Sequence, residues 1–264
     1  MTDFYTKNGV VFCRALDEIP FIGHGFSTRC GGVSELEYTK SMNLAYCRGD
    51  DDQTVFTNRH IFAASAGFDA GGLVLGEQTH SDNVAVADGS KKYFANTDGF
   101  VSATPGVFAA AKTADCQPVL FADPENRVVG VCHAGWRGTM KKIAAKTVSL
   151  MIKNGAKADK IIAALGPCIK PCCFEVKEDF VAEFERNAPE LLCFIKKENG
   201  VYHADISGMN RAVLLSAGLL DKNIYICDEC TCHNADKYFS HRRQGALRGT
   251  MLSVIGIKKL AEQI

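Results

Sequence analysis

Two short apolar runs divided by a four-residue turn constrain this chain more than any other feature. Residues 118–122 and 127–132 flank Asp123-Pro124-Glu125-Asn126. Each run has the length of a strand, and the turn formers between them break the apolar pattern, so the pair reads as a β-hairpin. The second run ends in Cys132-His133-Ala134-Gly135, and a helical pattern follows over residues 139–153. Ile143, Ala144, Thr147, Val148, Leu150 and Met151 form its buried stripe, with Gly155 as its stop. A rigid strand pair thus delivers a histidine at a glycine turn before a helix, a place from which a sheet can aim a side chain into a cleft.

The remaining segments mix strands and helices without strict βαβ alternation. Residues 10–12 and 19–22 are short apolar runs broken by glycine. Residues 52–66 read as a helix ending at Gly67, with Val55, Phe56, Phe62, Ala63 and Ala66 near helical spacing and Arg59 interrupting the stripe. Strands are expected over residues 73–75, 83–87, 99–102, 107–111, 161–165 and 224–227, and helices over 177–187 and 205–217. Residues 251–257 fit either a strand or a helix. This order predicts an α+β fold with layered mixed sheets flanked by helices. Gly23-His24-Gly25 and Gly31-Gly32 do not make a dinucleotide fingerprint. Without repeats or linkers, the 264 residues are expected to form one domain, 1–264.

The 30 basic and 30 acidic residues balance, which gives no sign of a nucleic-acid surface. Residues 1–8 hold no apolar signal-like core, and no apolar run approaches the ~18 residues of a membrane span. Twelve cysteines in a chain of this size and core fit free or metal-bound thiols in a reducing cytoplasm better than a disulfide framework.

Three polar motifs carry the chemistry: Gln78-Thr79-His80-Ser81-Asp82, Thr113-Ala114-Asp115-Cys116-Gln117-Pro118 and Cys132-His133-Ala134-Gly135-Trp136-Arg137-Gly138-Thr139. One thiol and two imidazoles beside turn formers could hold a catalytic zinc, which uses three protein ligands and an open fourth position. The same Cys116 and His133 could instead be a nucleophile and its base. Arg137, at a helix start, suits phosphate or carboxylate. Arg29 in a glycine-rich turn and Arg242 in Phe239-Ser240-His241-Arg242-Arg243 are further phosphate candidates. Cys168, Cys172 and Cys173 surround Pro171, and Cys227, Cys230, Cys232 and His233 read C-x-x-C-x-C-H. A structural zinc there lacks a second clean C-x-x-C pair, so ordinary buried thiols are the reading adopted.

Together these motifs resemble a family once called multicopper polyphenol oxidoreductases or laccase-domain proteins, now described as purine nucleoside phosphorylases with adenosine deaminase activity. The matching segments include His24-Gly25-Phe26-Ser27-Thr28-Arg29, Gln78-Thr79-His80-Ser81, Thr113-Ala114-Asp115-Cys116-Gln117-Pro118, His133-Ala134-Gly135-Trp136-Arg137-Gly138, Gly166-Pro167-Cys168-Ile169 and Phe239-Ser240-His241-Arg242-Arg243. The resemblance implies a single mixed α/β domain related to cysteine hydrolases, with a zinc held by His80, Cys116 and His133. It also implies phosphorolysis of adenosine, inosine and methylthioadenosine and deamination of adenosine. Polyphenol oxidation with copper is an older assignment. The chain departs from the pattern at His241, where family members commonly carry a tyrosine, and at Leu247-Arg248-Gly249, where they carry Thr-Gly-Arg.

The expectation is therefore a zinc enzyme, with copper as an alternative metal, acting on nucleosides and phosphate as a monomer or homodimer. His80, Cys116 and His133 are its catalytic and metal-binding residues, and Arg29, Arg137 and Arg242 contact substrate or phosphate. The alternatives are a cysteine hydrolase or amidase using Cys116 and His133, and a non-catalytic zinc or redox protein.

Overall fold

The computed structural model describes residues 2–259. The hairpin forms as expected, from strands Gln117–Asp123 and Val128–Ala134 in antiparallel register, Val119 opposite Cys132 and Pro118 opposite His133. Asp123 closes the turn: its Oδ1 accepts the amides of Glu125 (2.9 Å) and Asn126 (3.0 Å). Both strands are buried along their whole length because both faces are covered. Val119, Phe121, Val128 and Cys132 pack against helices, whereas Leu120, Ala122, Val129 and Val131 pack against a second sheet. The period-2 alternation of a strand therefore divides one apolar run between two cores.

The hairpin lies in a six-stranded sheet ordered Ile224–Ile226, Ile162–Leu165, Gln117–Asp123, Val128–Ala134, Gly99–Ser102, Val84–Val86. A seven-stranded sheet runs Phe4–Lys7, Val10–Cys13, Ile22–Ser27, Met251–Ile257, Phe108–Thr113, Leu73–Gly76, Tyr93–Phe94. Phe26, Ala109, Ala111 and Ile255 of the latter meet Leu120, Val131 and Ala164 of the former in the central core. Helix Asp52–Ala66 covers the far face of the seven-stranded sheet through Phe62 and Ala66. Helices Ile143–Lys153, Glu178–Asn187 and Ile206–Ser216 cover the far face of the six-stranded one. The mixed, layered α+β architecture expected from the sequence is thus the observed one. A three-stranded sheet, Glu175–Val176, Val201–Ala204 and Ile195–Glu198, lies outside these layers.

Helix Asp52–Ala66 begins at Asp51, whose carboxylate accepts the Thr54 amide at 2.8 Å, and ends at Gly67 in the left-handed conformation (φ 71°). Residues 251–257, open to either reading, form a strand between Ile22–Ser27 and Phe108–Thr113. The single helix expected over 139–153 is corrected: Trp136–Met140 and Ile143–Lys153 are separate helices. Lys142 between them adopts φ 61°, which no continuous right-handed helix accommodates.

Candidate active site

The three sequence motifs converge at one end of the two sheets. His80 follows strand Leu73–Gly76 in a turn where it takes φ 58°. Cys116 sits in the turn between Phe108–Thr113, in the seven-stranded sheet, and Gln117–Asp123, in the six-stranded one. His133 comes from the end of hairpin strand Val128–Ala134. Their ligand atoms all lie within 4.8 Å of one another. Gly135 caps helix Trp136–Met140 at the same point, and only glycine fits there. A Cβ would stand 2.7 Å from His80 Nδ1 and 3.0 Å from Cys116 Sγ.

Sequence reasoning missed the residue that organises this cluster. Asp98 is buried at the start of strand Gly99–Ser102. Its Oδ1 accepts His133 Nδ1 (2.8 Å) and the His80 amide (3.2 Å). Its Oδ2 accepts the amides of Thr79 (3.0 Å) and Ser81 (2.9 Å) and the Ser81 hydroxyl (2.7 Å). The only signal in the sequence was a carboxylate directly before an apolar strand. A second buried carboxylate, Asp115, adopts φ 84° beside Cys116 and ties its turn to the C-terminal segment. It accepts Thr231 Oγ1 (2.7 Å), Ser240 Oγ (3.0 Å) and the Arg242 amide (2.6 Å).

Electrostatics follow from this wiring. Burial would raise the Asp98 carboxyl, but hydrogen bonds from His133 and Ser81 hold it down to about 2. Burial pulls His133 down, yet Cys116, to which it is also hydrogen-bonded, and Asp98 outweigh it and raise the imidazole to about 9. Burial, reinforced by His133, lowers His80 to about 4. His80 Nδ1 is buried and has no hydrogen-bond partner among the described residues.

Two cavities flank the cluster. The first, about 400 Å³, is lined by Trp136, Arg137, Phe174, His241 and Arg242 together with His80 and Cys116. The second, about 190 Å³, is lined by Arg48, Gln78, Lys112 and Arg248, and reaches His80, Cys116 and His133 from the other side. Arg248 borders both cavities, and its buried Nε has no partner among the described residues. Gln78 pairs with the Lys112 main chain, accepting its amide at 2.7 Å and donating to its carbonyl at 2.8 Å. Arg48 and Lys112 were not singled out from the sequence, although a lysine in an apolar strand was a usable signal. His241 and Arg248, at the two departures from the family pattern, both face the first cavity.

Of the three arginines expected at phosphate, the structure brings two to the cluster. Arg137 stacks over Trp136, 4.1 Å from its ring centre, and its guanidinium makes no hydrogen bond among the described residues. Arg242 reaches the cavity while donating to the carbonyls of Cys173 and Glu175, each at 3.0 Å. Arg29 lies elsewhere. Its guanidinium donates to the carbonyls of Lys40 (2.7 and 2.9 Å) and Ala235 (2.9 Å) and stacks on Phe239, so it joins main-chain segments instead of lining either cavity.

Known proteins are similar to this chain. Residues 23–258 match the family described as multi-copper polyphenol oxidoreductase laccase. A purine nucleoside phosphorylase of Deinococcus radiodurans is 40% identical over 238 residues, covering 90% of each chain. The adenosine deaminase RL5, from an unknown prokaryotic organism, is 35% identical over 235 residues, covering 85% of this chain and 90% of its own. The crystal structure of YlmD from Geobacillus stearothermophilus superposes with a TM-score of 0.88 at 30% identity, over 98% of this chain and 100% of that one. The chain belongs to this laccase-domain family of enzymes.

Proposed function

We propose that this enzyme is a zinc-dependent purine nucleoside phosphorylase acting on adenosine, inosine and methylthioadenosine, and that it also deaminates adenosine. The observation that carries this reading is the convergence of His80, Cys116 and His133 at the junction of an aromatic cavity and a cationic one. The names of the relatives support it.

The donors fit a metal. A buried, unpartnered Nδ1 on His80 is costly unless a ligand occupies it. Asp98 takes the Nδ1–H of His133 and so turns its Nε2 toward the cluster, the carboxylate–histidine arrangement that orients a metal ligand. Two imidazoles and one thiolate suit zinc. Copper binds such donors more tightly still, so metal analysis belongs on protein never exposed to added copper. When bound, zinc supplies Lewis acidity where the two cavities meet.

The protein's own groups do the rest. Trp136 and Phe174 offer flat apolar surface to a purine in the first cavity. Arg48, Lys112 and Arg248 gather cationic donors in the second, the better phosphate cradle. Arg137, with free donors, faces the nucleoside side. Phosphate held in the second cavity approaches the ribose anomeric carbon from the side opposite a base bound in the first. The twelve free cysteines support a cytoplasmic setting.

A metal-free reading, with Cys116 as nucleophile, His133 as base and Asp98 as orienter, is favoured by the raised imidazole and the Cys116–His133 hydrogen bond. It leaves His80 Nδ1 buried without a partner among the described residues, an observation that favours the metal. The test is release of free base from adenosine or inosine that depends on phosphate and on zinc. His80→Ala, Cys116→Ala and His133→Ala should each lower both zinc content and phosphorolysis. Wild-type metal content in all three variants, or undiminished turnover by metal-free protein that a thiol reagent stops, would overturn the assignment.

A further inference from the structure

A second constellation of donors lies behind the wall of the first cavity. Cys172 and Cys173 occupy the turn after Pro171, and His233 lies in the loop after strand Ile224–Ile226. Their ligand atoms also fall within 4.8 Å of one another. The two sulfurs are 3.7 Å apart. A tetrahedral ion with Zn–S bonds of about 2.3 Å places two sulfurs about 3.8 Å apart, so the pair already spans one edge of such a site. A disulfide would require about 2.05 Å.

A third sulfur adjoins them. Cys230 neighbours both thiols. Its Sγ also accepts the Lys170 amide at 3.4 Å, a main-chain donation of the kind that supports a thiolate ligand. The C-x-x-C-x-C-H spacing pointed to Cys227, Cys230 and Cys232, but Cys227 is buried at a strand end. Ordinary buried thiols do not describe this cluster either: Cys172 and His233 are exposed and Cys173 is half-buried, so an ion can reach them from solvent.

We propose that Cys172, Cys173 and His233, with Cys230 as the fourth donor, form a second, structural divalent-metal site of the zinc type. Four protein donors leave no open position, which separates it from the catalytic cluster. Its effect is to staple two segments together. One carries Phe174, and the other carries the Thr231 and Cys232 carbonyls, to which Arg243 donates at 3.1 and 2.6 Å. Arg242 binds the Cys173 and Glu175 carbonyls from the adjoining position. The metal would therefore fix the segments that set Phe174 and Arg242 in the cavity wall.

The test is cobalt titration of metal-free, reduced full-length protein, read by stoichiometry and by thiolate-to-cobalt absorption. Wild type should take two equivalents. Cys116→Ser should keep one, with a band stronger than one thiolate produces. The Cys172→Ser/Cys173→Ser double variant should lose the strong band and one equivalent. His233→Ala should bind that equivalent at least ~10-fold more weakly, whereas His233→Cys, which keeps a ligand there, should retain it. A wild-type band and stoichiometry in the double variant would overturn the proposal. So would a Cys116→Ser protein that is folded by circular dichroism but binds no cobalt, or a wild-type protein that is two hydrogens light from a disulfide among these cysteines after reduction.

Discussion

Replacing Asp98 by asparagine tests the part of the site that supplies no ligand. The side chain keeps its shape, but one of its two oxygens becomes a donor. If the NH2 took the place of Oδ2, it would face the amides of Thr79 and Ser81, which cannot turn away. Two charge-assisted bonds would be lost, at about 1.5–3 kcal/mol each. If it took the place of Oδ1, only the His133 bond and the longer His80 contact would be lost. His133 can then respond by moving its proton to Nε2. The second arrangement costs the fold less and should be adopted, but it puts a proton where the metal ligand's lone pair belongs. The expected result is a folded protein about 1.5–3 kcal/mol less stable, with a Tm lower by about 3–12 °C. Zinc should bind about 10–100-fold more weakly, measured by competition with a chromogenic chelator. A folded Asp98→Asn protein that binds zinc within about threefold of wild type would refute this account of how His133 is oriented.

Other expectations follow from the same geometry. Gly135→Ala sets a methyl 2.7 Å from His80 Nδ1, so it should reduce bound zinc in metal analysis while circular dichroism stays near wild type. Arg248→Ala should raise the KM for phosphate about tenfold or more and spare adenosine deamination, which uses no phosphate; equal losses in both reactions would assign Arg248 to the pocket in general. Arg29→Ala should instead lower Tm and leave the phosphate KM unchanged, because its donors serve main-chain carbonyls. His24 is buried, with Nε2 accepting the Cys13 amide at 3.1 Å, and burial lowers its pKa from 6.5 to about 4. The folded state therefore binds fewer protons than the unfolded one between these values. The stability this contributes is complete above pH 6.5 and is lost as pH falls toward 4, by about 3 kcal/mol. In denaturant titrations His24→Gln, which can accept the same amide without titrating, should flatten that dependence.

Elements set by local chemistry were legible in the sequence. Gly67 and Asp123 act within a few residues of themselves, so the ends of helix Asp52–Ala66 and the hairpin turn could be read directly. The break at Lys142 could not, because the apolar stripe continues across it and nothing in lysine announces a positive φ. Strand Met251–Ile257 was ambiguous for a related reason. It is buried on both faces, so it shows no alternation, and only its neighbours, about 140 and 230 positions away in sequence, make it a strand.

The site divides along the same line. Its thiol and imidazoles were visible because cysteine and histidine beside glycine and aspartate are chemically conspicuous. What positions them was not, because aspartates and arginines are common and their roles here depend on distant partners. Asp98 gains its meaning from His133, 35 residues on, and Asp115 from Ser240, 125 residues on. Arg29 looked like a phosphate ligand, yet it is used by the Ala235 carbonyl, 206 residues away. The cations that line the second cavity, Arg48, Lys112 and Arg248, come from three separate segments that only the fold brings together. On the proposed reading, metal binding and phosphate recognition would be coupled through the fold. His80 and Cys116 line both cavities, so a shift of either residue moves the boundary that the two cavities share. A substitution that loosens the ligand cluster should therefore weaken phosphate use as well as metal binding, whereas one confined to Arg48 should affect phosphate alone.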